Sequence, residues 1–241
     1  MNAQDAQPKP EPIHVLVTTK TGGFRHDSIP EAIKAFVEMG QERNWNITFT
    51  EDSSLFTPEL LARMDAVVFL LTSGEIFEDA QREAIEEFVR QGGGLFGVHS
   101  GGTDTEYNWP WLRARIRAKF VSHPPVCEAE LIIEDRDHPA TRHYESDRVL
   151  VEDEIYSFDE NPREHVQVLI SVDEDSYDVD NNPWFKNVTS HAMGDHPLVW
   201  YQEWEAGRVI QTALGHTNEQ YRDASFRAQL AGALEWAVGR E

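Results

Sequence analysis

Residues 92–105, GGGLFGVHSGGTDT, run from a glycine break through a short apolar strand into a sharp turn flanked by glycines. Within them, Gly97-Val98-His99-Ser100-Gly101 has the form of a nucleophile elbow, G-x-[S/C]-x-G, in which a strained turn lifts the central side chain above the edge of an α/β sheet. Histidine takes the centre here. Ser100 comes one place late, so its hydroxyl is expected to point away from the apex. An imidazole at that apex serves as a general acid or base near neutral pH, or as a metal ligand. The plainer alternative is a histidine that only hydrogen-bonds its own turn.

An elbow needs a parallel sheet around it, and the flanking sequence predicts one. IHVLVT (13–18) reads as a strand, and Ser28-Ile29-Pro30-Glu31 offers an N-cap with proline in the first turn of a helix. Ile29, Ala32, Ile33, Phe36 and Val37 share one helical face, with Gly40 as a stop. WNITFTED and DAVVFLL are further strands with the helical TPELLARM between them; a stripe from Ala80 to Val89 precedes LFGVHS, the fourth strand. This β-α-β-α-β order with doubly buried strands predicts an α/β fold with a doubly wound, mostly parallel sheet and helices on both faces. Beyond residue 120 the texture changes to successive strands (CEAELIIED, RVLVEDEIYSF, VQVLISVDE, PLVWYQEWE, GRVIQTALG), an antiparallel elaboration of the same domain. Residues 173–195 read as a long loop over one face and 226–237 as a closing helix. Residues 13–241 are thus expected to form one domain after a disordered, proline-rich lead-in at 1–12.

Composition narrows the function classes. With 21 basic against 43 acidic side chains the net charge is −22, a field that repels nucleic acid and anionic membranes. One cysteine, Cys127, excludes a disulfide framework and any multi-thiolate site, and points to the cytoplasm. No apolar run approaches the roughly 20 residues of a membrane span. A homo-oligomer is left open. TKTGGFRHDS has neither phosphate-cradle spacing, so nucleotide binding is disfavoured.

In an open parallel sheet, ligands bind beyond the carboxyl ends of the strands. That rule nominates Phe24, Arg25 and His26 after the first strand, Ser73 and Glu75 after the third, and His99, Ser100 and Asp104 after the fourth. Among the other histidines, His123, His196 and His216 sit at strand ends or loops, while His14, His138, His143 and His165 read as structural or solvated. In VEDEIYSF, strand alternation puts Glu154 and Tyr156 on one face and Asp153 on the other, with a solvated surface strand as the alternative.

GGFRHDS, GGGLFGVHSGGTDT, HPP (123–125), EDRDHPAT (134–141), DEIYSF, MGDHPLVW and ALGHTNEQY, in that order, resemble the trehalose utilisation (ThuA-like) family over nearly the whole chain. The resemblance implies a class I glutamine amidotransferase-like, flavodoxin-like fold. In it His99 stands at the cysteine position and His216 looks like the triad histidine, with Glu219 one residue beyond the family's H-x-E spacing. Cys127 lies outside the elbow, so glutaminase activity is expected to be absent. The resemblance also implies a small-molecule carbohydrate substrate: trehalose, a related disaccharide or a 3-keto derivative. On a ketone, a base would remove the C2 proton while the glycosidic oxygen departs with a proton, by a lyase or hydrolase-like route. The residues expected to carry this are His99, His216, Glu154 and His26. His99 and His216 would also hold a divalent metal such as zinc, with Glu154 nearby. Phe24, Arg25, Asp104, Tyr156, His196 and Trp200 are the substrate-binding candidates, though core packing is the competing reading of Trp200. The alternative function is a noncatalytic carbohydrate-binding or regulatory protein on the same fold.

Overall fold

A computed structural model describes residues 11–188 and 190–240. The lead-in expected at 1–12 lies outside them except for its last two residues. The elements are β1 (Ile13–Thr18), α1 (Ile29–Arg43), β2 (Trp45–Thr50), α2 (Pro58–Leu61), β3 (Ala66–Leu70), α3 (Asp79–Arg90), β4 (Gly94–Val98), α4 (Ser100–Thr103) and α5 (Pro110–Ile116). The second half adds β5 (Phe120–Ser122), β6 (Cys127–Ile133), β7 (Arg148–Asp153), β8 (Ser157–Phe158), β9 (Gln167–Asp173), β10 (Pro197–Trp204) and β11 (Gly207–Thr212), then α6 (Asn218–Arg222) and α7 (Ala224–Ala237).

One nine-stranded sheet organises the chain, in the order β2-β1-β3-β4-β11-β10-β9-β6-β7. The first five strands in that order are mutually parallel, and the last four extend it antiparallel. Every residue of β3 and β4 is buried, as central parallel strands covered on both faces require. The chain steps from β1 outward to β2 and then back past β1 to β3. Right-handed crossovers therefore send α1 to one face and α2 and α3 to the other. α1 packs against α6 and α7 on its face, and α2 against α3 on the opposite one. Among the described residues no helix is long and apolar enough to cross a membrane.

Three local expectations are corrected. Gly40 does not stop α1: the helix continues to Arg43 and ends on Asn44 in the left-handed region, while Gly40 is buried against Ile47. Ser28 does not cap α1 through its side chain, because its own backbone is already helical, at φ −79° and ψ −8°. The fourth strand stops at Val98 rather than Ser100, since His99 turns the chain and Ser100 opens α4. The elbow is held by close backbone contact: a Cβ on Gly101 would lie 1.8 Å from the Phe69 carbonyl oxygen on β3. Gly101→Ala is therefore expected to cost about 3 kcal/mol, the upper end for overpacking. Thermal unfolding followed by circular dichroism should show this as a melting point lowered by roughly 5–10 °C.

Candidate functional site

The carboxyl ends of β1, β4, β7 and β11 bring His26, His99, Glu154 and His216 together. Their nearest ligating atoms all lie within 4.8 Å of one another. The ring centroids of His26 stand 4.7 Å from His99 and 5.3 Å from His216, and His99 stands 5.4 Å from His216.

Each member is fixed by its own element. His99 sits at φ +56° and ψ −115°, a conformation costly for a residue with a Cβ and the mark of a true elbow. Its Nδ1 lies 2.8 Å from the Ala213 carbonyl, which only a protonated nitrogen can satisfy, so Nε2 is the nitrogen left to the cluster, 3.5 Å from Glu154. Glu154 follows the end of β7, which breaks at Asp153 instead of running on to Phe158 as its sequence suggests. The alternation survives the break: Glu154 and Tyr156 both line the cavity. Asp153 turns away and accepts the backbone N–H groups of Gly215 and His216 at 2.6 and 3.0 Å. A fully buried carboxylate thus clamps the loop that presents His216.

Electrostatics sort the cluster. Burial pushes the His26 imidazole down to about 2, with His99 and His216 adding to the effect, so His26 is neutral with a lone pair to give. Burial works against ionisation of Glu154, but the imidazoles of His123, His216 and His99 overcome it and hold the carboxyl below its usual range. Glu154 lies 2.8 Å from His123 Nδ1 through one oxygen. Its other oxygen lies 3.0 Å from His216 Nδ1 and 3.5 Å from His99 Nε2. The last two contacts are close enough for ion pairing but lack hydrogen-bond alignment: His216 Nδ1, His99 Nε2 and His26 Nδ1 are all buried without a hydrogen-bond partner among the described residues. Burial of His216 is likewise outweighed by Glu154, which raises its pKa.

Above the cluster opens a cavity of about 510 Å³ with an aromatic wall of Phe120, Tyr156 and Phe185. At its rim Phe24 and Trp184 are 64% and 59% exposed, unusual for side chains of that size. Asp104 is the second carboxylate in the lining. Burial pushes it up to about 6, while Arg113, His123 and Lys119 pull the other way.

Of the expected site residues, His26, His99, Glu154, His216, Phe24, Asp104 and Tyr156 meet here. Three others do not. Trp200 is buried in the sheet and donates its indole N–H to the Ile116 carbonyl at 2.8 Å, which is core packing. His196 is buried behind the wall, Nε2 against the Tyr156 carbonyl and Nδ1 against Glu174, both at 2.8 Å; it positions Tyr156 rather than a ligand. Arg25 turns out to Glu51 at 2.7 Å. Glu75 is tied to Arg82, and Glu219 is exposed on α6, so the carboxylate beside His216 is Glu154. Ser100 is buried, its hydroxyl without a partner among the described residues.

Sequence reading found Tyr156 but missed Phe120 and Phe185 of the wall and Trp184 at the rim. Trp184 and Phe185 had a signal, two large apolar residues in an otherwise polar turn-rich loop; Phe120 had none. His123, expected as a fixed ligand or base, has its Nδ1 against the Pro124 carbonyl at 2.9 Å and 2.8 Å from Glu154, within ion-pairing distance.

An elbow with histidine at its apex, a second histidine after β11 and an antiparallel extension of the sheet set this chain beside known proteins. A ThuA-like protein from Bacteroides uniformis superposes with a TM-score of 0.81 at 20% identity, over 98% of this chain and 96% of the other. A ThuA-like protein from Parabacteroides merdae gives 0.72 at 18%, over 95% and 91%. A GMP synthase component from Thermoplasma acidophilum gives 0.54 at 10%, over 93% and 94%, which places the fold with the amidotransferase-like proteins. No curated protein matches this chain. The family model described as ThuA, trehalose utilisation, matches residues 14–237, and with elbow, sheet and sequence in agreement the chain belongs to the ThuA family.

Proposed function

We propose that His26, His99, His216 and Glu154 hold one divalent metal ion, zinc by preference, at the floor of a pocket that processes a disaccharide or its 3-keto derivative. The observation that carries this reading is the convergence of three histidines and one carboxylate, with a ligand atom of each within 4.8 Å of the others and a buried nitrogen on each ring lacking a hydrogen-bond partner among the described residues. Buried polar atoms without partners are rare and call for an explanation, and a metal satisfies all three at once. Three nitrogens and one carboxylate oxygen suit zinc.

A bound divalent ion supplies Lewis-acid polarisation of a sugar oxygen beside it. In this reading the four residues expected to move protons serve as ligands instead, and proton transfer falls to Asp104, the lining carboxyl with a pKa near neutrality. On a 3-keto-glycoside, the Asp104 carboxylate takes the C2 proton. The C2–H electron pair becomes a C1–C2 double bond, the C1–oxygen bond breaks, and the same carboxyl returns the proton to the departing oxygen. Tyr156, whose phenol burial keeps protonated, donates a hydrogen bond to the sugar, and Phe24 and Trp184 offer apolar faces to its rings. The ThuA family match supports a carbohydrate substrate. The half-buried lone cysteine and the likeness to a cytoplasmic protein of Salmonella typhimurium (TM-score 0.59, 12% identity) support a cytoplasmic setting.

The test is metal analysis of gently purified protein, followed by incubation with 3-keto-trehalose with and without chelator. About one zinc per chain and chelator-sensitive turnover are expected. Bound metal without turnover would favour the noncatalytic carbohydrate-binding alternative, and absence of metal with no chelator effect would sink the metal reading.

Asp104 supplies a second check with opposite signs in two measurements. Its native pKa of about 6 exceeds the ordinary carboxylate value, so between the two the folded protein binds a proton that the unfolded chain has released. Stability contributed by this group therefore falls as pH rises through that window. Asp104→Asn is expected to raise stability near pH 7.5 by up to about 3 kcal/mol, a gain that vanishes below about pH 4, while turnover drops about 100-fold. Urea titrations at both pH values, with turnover assayed in parallel, read this out.

A further inference from the structure

β7 is the last strand of the sheet, and beyond it no strand pairs among the described residues. Its outer edge can be read group by group. Asp147 accepts the Ile133 N–H, and the register runs Ile132 to Arg148, so odd-numbered residues of β7 face β6 and even-numbered ones point their backbone outward. Two of the outward groups are occupied: Arg148 N–H donates to Ser146 Oγ, and the Glu152 carbonyl accepts from Gln220 Nε2. The Arg148 carbonyl, both Leu150 groups and the Glu152 N–H have no partner among the described residues. Leu150 is 63% exposed. A groove of about 640 Å³, with Val149, Val151 and Leu214 in its lining, runs beside the strand. Glu152 lies directly across from Glu128, a like-charged pair with no cation against either side chain among the described residues.

We propose that β7 pairs antiparallel with β7 of a second copy about a two-fold axis at Leu150, joining two sheets into one. The sequence Arg148-Val149-Leu150-Val151-Glu152 is self-complementary in that register. Leu150 meets Leu150, Val149 meets Val151, and each Arg148, which already pairs with Glu130 and Asp173 of its own chain, meets Glu152 of the second copy. The backbone groups left open are the ones this register joins: Leu150 N–H to the Leu150 carbonyl twice, and Glu152 N–H to the Arg148 carbonyl twice. Glu152 gains the cation it lacks in the single chain. An exposed, apolar-centred edge strand is a liability unless covered, and a closed two-fold pair covers it.

Sedimentation velocity at micromolar concentration tests this. The parent is expected at twice the 27.6 kDa of one chain. Leu150→Asp and Glu152→Arg are expected to lose the dimer while keeping the parent's circular dichroism spectrum. Arg148→Glu alone is expected to be monomeric, and mixed with Glu152→Arg it should form a heterodimer, because both cross-strand pairs are again opposite in charge. A monomeric parent, or a dimer unchanged by Leu150→Asp and Glu152→Arg, overturns the proposal.

Discussion

Glu154→Gln is expected to empty the metal site and abolish turnover while leaving the protein folded. Among the described residues Glu154 is the one carboxylate in the cluster, and the neighbouring Asp153 is turned to the backbone N–H groups of Gly215 and His216. Glutamine keeps the shape and removes the charge. Structural zinc is worth roughly 10–16 kcal/mol in small domains, so one ligand of four carries about 3 kcal/mol or more, at least two orders of magnitude in affinity. Elemental analysis should show the metal lost on gel filtration, and turnover of 3-keto-trehalose should fall at least about 1000-fold. The native fold should persist because Asp153, not Glu154, clamps the His216 loop. Full metal content in the variant would remove Glu154 from the ligand set.

The second large effect is on stability. A ligand that binds only the folded state stabilises it by about 2.7 kcal/mol at a hundredfold excess over its dissociation constant. In a chain of this size that corresponds to a melting point higher by roughly 5–10 °C. Removing metal with chelator is therefore expected to lower the parent's melting point by that amount, and adding zinc back to restore it. His99→Ala and His216→Ala should melt at the same temperature with and without zinc. A zinc-dependent shift that survives in both variants would place the binding elsewhere on this acidic surface.

The parallel half of the fold was legible because its apolar periods switch between strand and helix at glycines and caps, and buried strands such as β3 and β4 permit little else. The elbow was legible from five residues. What sequence could not supply was which side chains turn inward. Trp200 lies within β10 and His196 just before it, yet one is packed in the core and the other sits behind Tyr156. The carboxylate beside His216 was legible as Glu154, because Glu219 misses the H-x-E spacing by one residue and strand alternation turns Glu154 to the site face, some sixty residues earlier in the chain. Phe120 reaches the cavity only through the pairing of β5 with β8, a two-strand contact with almost no periodic signature.

The cluster draws its four members from four loops that are far apart along the chain. No two ligands belong to one hairpin or helix turn, so closing the set requires the central strands to be paired in their final order. Loop-closure entropy makes such long-range assembly a late event. Metal therefore has nothing to grip in the unfolded chain or in an early folding nucleus. Its effect should fall on the rate of unfolding and leave refolding speed almost untouched, so that the bound ion acts as a latch that sets the lifetime of the native state.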